Sequence, residues 1–176
     1  MNDFSQMLGS LQEVAPYVSV LIQTIASFLG VLFIAQGLFK FRQHNVRGEA
    51  HLGSAFLYVL SGVALVNLAL STNAAFGLLY GNSGASVQHL VAYKPTASMP
   101  TQGAMLMKVI VLLLQVYGLF YTVTGWVQLR KLHDNRSGGE VSFKSTMFRI
   151  LGGAALLNVV LTVNTLAKLL GFGRVL

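Results

Sequence analysis

The charged residues divide this chain into long apolar stretches. Lys, Arg, Asp and Glu are missing from Val14 to Phe39, from Ala50 to Tyr93, from Val109 to Leu129 and from Ile150 to Ala167. At a rise of about 1.5 Å per residue, about 20 apolar residues cross a hydrocarbon core about 30 Å thick. The pattern therefore predicts four transmembrane helices: Tyr17 to Phe39, Leu52 to Thr72, Ala104 to Leu129 and Phe148 to Leu170. A helix buried in a soluble core would be shorter and would keep one charged face. Ahead of the first span, Phe4, Met7, Leu8, Leu11 and Val14 recur at helical spacing, with Asp3, Gln6, Ser10 and Glu13 elsewhere on the wheel. Pro16 stands where a new helix could begin, so residues 1–16 read as a short interfacial helix capping the bundle.

Composition agrees with a lipid environment. Only 17 of the 176 residues are charged (12 Lys and Arg, 5 Asp and Glu), against about 25% in an ordinary soluble domain. With 54% hydrophobic residues and a mean hydropathy of +0.65, a conventional soluble enzyme is excluded. The chain has no cysteine, which removes disulfides, thiolate zinc sites, iron-sulfur clusters and cysteine nucleophiles together. Its start lacks a basic segment followed by a short apolar stretch and a small-residue cleavage pattern, so it is expected to be retained.

The net charge of +7 is concentrated in two turns. Lys40, Arg42 and Arg47 lie between spans one and two; Arg130, Lys131, Arg136, Lys144 and Arg149 lie between spans three and four. Eight of the twelve basic residues are thereby accounted for, and the excess of Lys and Arg places both turns on the cytoplasmic side, with both termini and the central loop outside.

The two turns belong to a repeat. Leu52 to Asn73 placed over Phe143 to Asn164, at an offset of 91, gives eight identities in 22 positions, including Gly62/Gly153, Asn67/Asn158 and Asn73/Asn164. Roughly two or three would arise by chance from so narrow an alphabet. Upstream, Gly30 to Arg42 lies over Gly118 to Arg130 at an offset of 88, matching Gly30/Gly118, Gly37/Gly125 and Arg42/Arg130. The unit is helix, basic turn, helix, present twice, and two spans per unit make both copies point the same way. The expected fold is thus an all-α membrane protein of four transmembrane helices, arranged as two tandem, parallel helical-hairpin repeats after a short interfacial helix. Its parts are residues 1–16, a first hairpin at 17–80, an extracytoplasmic loop at 81–103 and a second hairpin at 104–176.

Within the spans, Gly30, Gly37, Gly62, Gly118, Gly125 and Gly153 are candidates for close helix packing, which in lipid lacks a hydrophobic drive. Asn67 with Ser71, and Asn158 with Thr162, are i,i+4 pairs that place a small polar stripe on spans two and four. Hydrogen bonding between helices is the expected role of such groups; a ligand or ion path is the other.

No ionisable group lies at mid-span, as proton-coupled transport would require. The Arg42-Gln43 turn resembles that of the proteolipid ring subunits of rotary ATPases, but the membrane carboxylate of that family is missing and Asn67 and Asn158 cannot replace it. His44, His51, His89 and His133 show no metal-ligand spacing, and Gly81-Asn82-Ser83-Gly84 and Ser137-Gly138-Gly139 lack a phosphate-binding pattern. Neither a catalytic residue nor a metal site is expected. The basic turns can interact with anionic headgroups, at about 1 kcal/mol per residue. Turned inward around an axis of many copies, they could instead line a passage for a polyanion.

A two-helix unit with both termini outside, a short basic turn and helices rich in Gly and Ala resembles the pilins of conjugative type IV secretion systems, and this chain is similar to two such units fused. At its length and four-span layout the whole chain also resembles the TraQ and IcmC/DotE group of small membrane proteins of IncI-type conjugation and type IVB secretion. The resemblance implies a non-enzymatic, self-assembling subunit in the bacterial inner membrane, with other secretion-system subunits as partners. It further implies a homo-oligomer or filament, and an extracellular pilus as one destination of the assembled chain. Carried over by position, Lys40, Arg42, Arg47, Arg130, Lys131 and Arg136 would face a lumen or lipid headgroups, where DNA or protein passes without sequence-specific binding. No cofactor is implied beyond a phospholipid accompanying each subunit. The alternative function is a small channel, carrier or accessory membrane protein with a polar path at Asn67 and Asn158.

Overall fold

The computed structural model describes residues 2–47, 52–80, 101–133 and 142–172, and these are almost entirely helical, with no strand among them. Helix α1 (Asn2–Arg47) is followed by α2 (Leu52–Val66), α3 (Leu68–Tyr80), α4 (Thr101–Leu129), a 3-10 turn (Arg130–His133), α5 (Phe143–Leu157) and α6 (Val159–Leu169). Helices α1 and α4 are each long and apolar enough to cross a membrane, and counting the α2–α3 and α5–α6 pairs as one broken span each raises the number to four. Of the central loop expected at 81–103, residues 81–100 lie outside the described residues, and α4 already begins at Thr101.

The separate interfacial helix is not found. Residues 2–16 continue without interruption into the first span, and Pro16 is enclosed in a helix of 46 residues. Proline removes one amide and disfavours the helical conformation before it, yet membrane helices absorb such defects. Here the inward face persists across it: Leu8, Ala15, Ala26 and Phe33 are all buried, at intervals of 7, 11 and 7 residues, close to whole numbers of helical turns. The packing of one continuous face thus overrides the local break that the proline signals.

Helix α1 packs mainly against α2, and α4 against α5, so each half forms an antiparallel hairpin. The two hairpins share one core, in which Ala26 and Phe33 of α1, Leu65 of α2, Leu68 and Ala75 of α3, Leu119 and Val123 of α4, and Ile150, Ala154 and Leu157 of α5 meet. Between hairpins, the fully buried Ser61 hydroxyl donates to the carbonyl of Trp126. On the opposite, outward surfaces Phe28, Leu38, Phe39, Leu70, Leu78 and Phe148 are exposed, a belt of large apolar side chains that suits lipid and not water.

The α2–α3 and α5–α6 pairs are not straight. The chain bends by 104° between α2 and α3, at Asn67, and by 95° between α5 and α6, at Asn158. Helix α6 then ends in a glycine cap: Gly171 has φ of +79°, and the amides of Phe172 and Gly171 donate to the carbonyls of Ala167 and Lys168 at 2.8 and 3.2 Å. This pair of bonds is the Schellman arrangement, in which glycine adopts the left-handed conformation without a Cβ penalty.

Candidate functional site

Two groups of residues bear on function: a basic, aromatic end of the bundle and a set of close helix contacts. The basic end is built by the last turns of α1 and the 3-10 turn after α4. Lys40 Nζ sits 3.9 Å from the centre of the Tyr58 ring and donates to Ser54 Oγ at 3.0 Å. From the other hairpin, the Arg130 guanidinium lies 4.1 Å from the centre of Phe33 and 5.6 Å from that of Tyr58. The Phe33 and Tyr58 rings meet edge to face at 6.4 Å. Two cations from different hairpins thus share one aromatic pair, and cation-aromatic contacts of this kind contribute about 0.5–1 kcal/mol when exposed and about 2 when desolvated. The buried Nε of Arg130 has no hydrogen-bond partner, so its rings are its main anchors.

Of the six basic residues singled out from sequence, Lys40 and Arg130 are therefore tied into the bundle, whereas Arg42 and Lys131 are exposed at the same end. Arg47 falls in the last turn of α1, and Arg136 lies outside the described residues. Sequence reasoning missed Phe33, Tyr58 and Ser54. Their signal was available: Phe33 and Lys40 are seven residues apart on one helical face, and Ser54 and Tyr58 are four apart.

A groove of about 380 Å³ runs beside this end. Ile22, Ile25 and Leu29 of α1 and Phe120, Val123 and Val127 of α4 form its apolar walls. Thr124 and Gln128, one turn apart on α4, Lys131 of the 3-10 turn and Arg149 of α5 supply its polar part. Its size lies in the range of about 300–1,000 Å³ typical of ligand sites. Arg149 also stands 5.7 Å from the Tyr121 ring, which stacks on Tyr117 at 5.9 Å.

The six candidate packing glycines sit where helices approach closely. A Cβ on Gly30 would lie 2.7 Å from the Gly62 carbonyl oxygen, and one on Gly62 would lie 2.6 Å from that of Gly30. In the second hairpin, a Cβ on Gly118 or Gly153 would lie 2.8 Å from the carbonyl oxygen of the other. Gly37 meets Val59 and Gly125 meets Ile150, with a Cβ at 3.0 Å from the amide nitrogen in each case.

The intramembrane polar residues gather at the two helix breaks. Ser71 Oγ donates to the carbonyl of Ala64 at 3.0 Å, and Thr162 Oγ1 to that of Ala155 at 2.8 Å, each reaching back seven residues across its own helix break. These bonds bridge the two arms of one bent segment. Asn67 is exposed and Asn158 half-buried, each at the vertex of a bend. No group of three or more His, Asp or Glu side chains suited to a metal occurs among the described residues. The chain matches no family model, no curated protein and no solved structure.

Proposed function

We propose that this chain is a structural, non-enzymatic membrane subunit made of two tandem, parallel hairpins, which assembles with copies of itself into a conjugative or type IVB secretion apparatus, with a pilus as its assembled form. The observation that carries the reading is the recurrence of contacts in register. Gly30 on Gly62 corresponds to Gly118 on Gly153, Gly37 on Val59 to Gly125 on Ile150, and Phe33 beside Tyr58 to Tyr121 beside Arg149, all at the offsets of 88 and 91 read from the sequence. These contacts lie within each hairpin, so they support one folding unit present twice in the chain; assembly between chains is the further step of the proposal, resting on the resemblance and on the exposed apolar surface. The parallel sense of the hairpins is supported by Lys40 and Arg130, which bring the two basic ends to one aromatic pair.

In this reading the shared basic end is cytoplasmic in the inner membrane and faces the bore once subunits assemble. The exposed Arg42 and Lys131 are its working charges, attracting the phosphates of DNA or of lipid headgroups without reading sequence. The groove between α1 and α4 would seat an acyl chain of the accompanying phospholipid along Ile22, Ile25 and Val127, with its headgroup at Lys131 and Arg149. The remaining surface, lined by exposed Phe and Leu, contacts bilayer or neighbouring copies.

Charge reversal at the exposed pair tests this assignment. Arg42→Glu with Lys131→Glu should reduce conjugative transfer or effector secretion about tenfold or more, because each lost contact near a charged surface is worth about 1 kcal/mol. Thermal stability should stay near wild type, since neither side chain is packed. Transfer at the wild-type rate, with topology intact, would sink the proposal that these residues serve the passage.

A further inference from the structure

The two helix breaks have no proline or glycine at their vertices: the segments are Ala64-Leu65-Val66-Asn67-Leu68-Ala69-Leu70-Ser71 and Ala155-Leu156-Leu157-Asn158-Val159-Val160-Leu161-Thr162. Sharp kinks are otherwise caused by a side chain inserted into the hydrogen-bond ladder, and that is what both segments contain. The hydroxyl of Ser71 or Thr162 takes the carbonyl seven residues back and also bonds a carbonyl nearer to it, Leu68 at 3.1 Å and Asn158 at 3.0 Å. On both sides of the vertex the ordinary ladder is kept: Asn158 N donates to Ala154 O at 3.3 Å, and Thr162 N to Asn158 O at 2.9 Å. The departure from helix is therefore confined to one residue, with Asn158 at φ −116° and ψ 53°.

Length gives the bend a consequence. Helices α2 and α5 have 15 residues each, about 22 Å, too short for a hydrocarbon core of about 30 Å. Continued straight through α3 and α6, the same segments would each reach about 40 Å. No covalent feature forbids this: returning Asn158 to helical φ and ψ would let the amides of Val159, Val160 and Leu161 reach the carbonyls of Ala155, Leu156 and Leu157, the first of which accepts the Thr162 hydroxyl in the bent form.

We infer that Asn67 and Asn158 are paired hinges. Helices α3 and α6 swing between an arm folded across α2 and α5 and a straight continuation of them, and the Ser71 and Thr162 hydroxyls latch the folded state. The inference rests on the four-span reading for the straight state only. It adds a second state, in which the return legs of both hairpins stop short and leave the far parts of α1 and α4 uncovered for a neighbouring copy.

The absence of cysteine makes the hinge directly measurable. Spin labels on Phe148→Cys and Leu169→Cys, both exposed positions, would report the α5–α6 angle in the full chain in lipid nanodiscs by pulsed electron paramagnetic resonance. Backbone geometry gives about 22 Å for the folded arm and about 32 Å for the straight one. The folded distance should be populated in the parent chain, Thr162→Val should shift the population to the longer distance, and Thr162→Ser should retain the parent distribution. Should Thr162→Val fail to fold, Asn158→Ala carries the same expected lengthening, because alanine favours an unbroken helix. A distribution unmoved by valine and by alanine, or moved equally by serine, overturns the hinge. The four-span reading is judged separately, by membrane-impermeant maleimide on single Leu169→Cys in sealed vesicles. Labelling from the same side as Arg42→Cys in every variant contradicts that reading, even where the distance shifts as expected.

Discussion

Alanine at Gly62 together with alanine at Gly153 should destabilise the folded chain by about 2–6 kcal/mol, the largest loss expected from adding two methyl groups anywhere in the bundle. Each new Cβ would fall within 2.8 Å of a carbonyl oxygen on the facing helix, and backbone on both sides leaves little room to yield. Overpacking of this kind costs about 1–3 kcal/mol per site. The two sites lie in different hairpins, so their effects should nearly add. Gly77 is the matched control, because nothing lies within 4 Å of a Cβ there. Gly77→Ala should be neutral or stabilising by up to about 1 kcal/mol through helix propensity alone. Reversible unfolding in mixed detergent micelles, followed by circular dichroism, measures all three. Equal effects at Gly62, Gly153 and Gly77 would mean that the close approaches do not hold the hairpins.

The second large effect is expected at Arg130. Its guanidinium joins the second hairpin to Phe33 and Tyr58 of the first, and no hydrogen bond to its buried Nε would replace those contacts. Arg130→Gln should cost about 1–2 kcal/mol, and a double-mutant cycle with Tyr58→Leu should return a coupling of about 0.5–2 kcal/mol. Trp126, the single tryptophan, provides the readout: its carbonyl accepts the Ser61 hydroxyl at the contact between hairpins. Opening that contact should shift its fluorescence and raise its access to quencher. Lys131→Gln, one residue along and exposed, should leave the signal unchanged.

How much of this was legible in the sequence differs between elements for physical reasons. Helical hairpins in lipid follow from the spacing of charges, because the bilayer imposes a length on any apolar stretch. The glycines were legible as well: Gly30 and Gly37, or Gly118 and Gly125, recur on one face, and only a residue without a side chain brings two backbones so close. Pro16 misled, since its local preference for a helix start yields to an inward face that Leu8 and Ala15 already carry across it. The breaks at Asn67 and Asn158 were not legible. An asparagine followed four residues later by a hydroxyl reads equally as a polar stripe on a straight helix, and only the turn of the backbone brings Thr162 to the Ala155 carbonyl. The basic end was half legible. Charge alone located Lys40, Arg42, Arg130 and Lys131, but which of them pack on aromatic rings depends on how the second hairpin meets the first.

These contacts separate two roles within one charged end. Arg130 ties the second hairpin to the first and Lys40 ties α1 to α2 within the first, whereas Arg42 and Lys131 are exposed. That division explains how a chain with so few charges can place eight of its twelve basic residues in two short turns without losing its fold. Among the described side chains, Lys40, Arg130 and Arg149 lie near aromatic rings, and Arg42, Lys131 and Lys144 are exposed.

Filaments sheared from expressing cells, imaged by electron microscopy and identified by mass spectrometry, test whether the chain self-assembles. Self-assembly should yield filaments whose principal protein is this 19.0 kDa chain, with helical repeats built from the one subunit. Recovery of the chain solely from inner-membrane vesicles, as a monomer, while filaments of another protein are made, would contradict it.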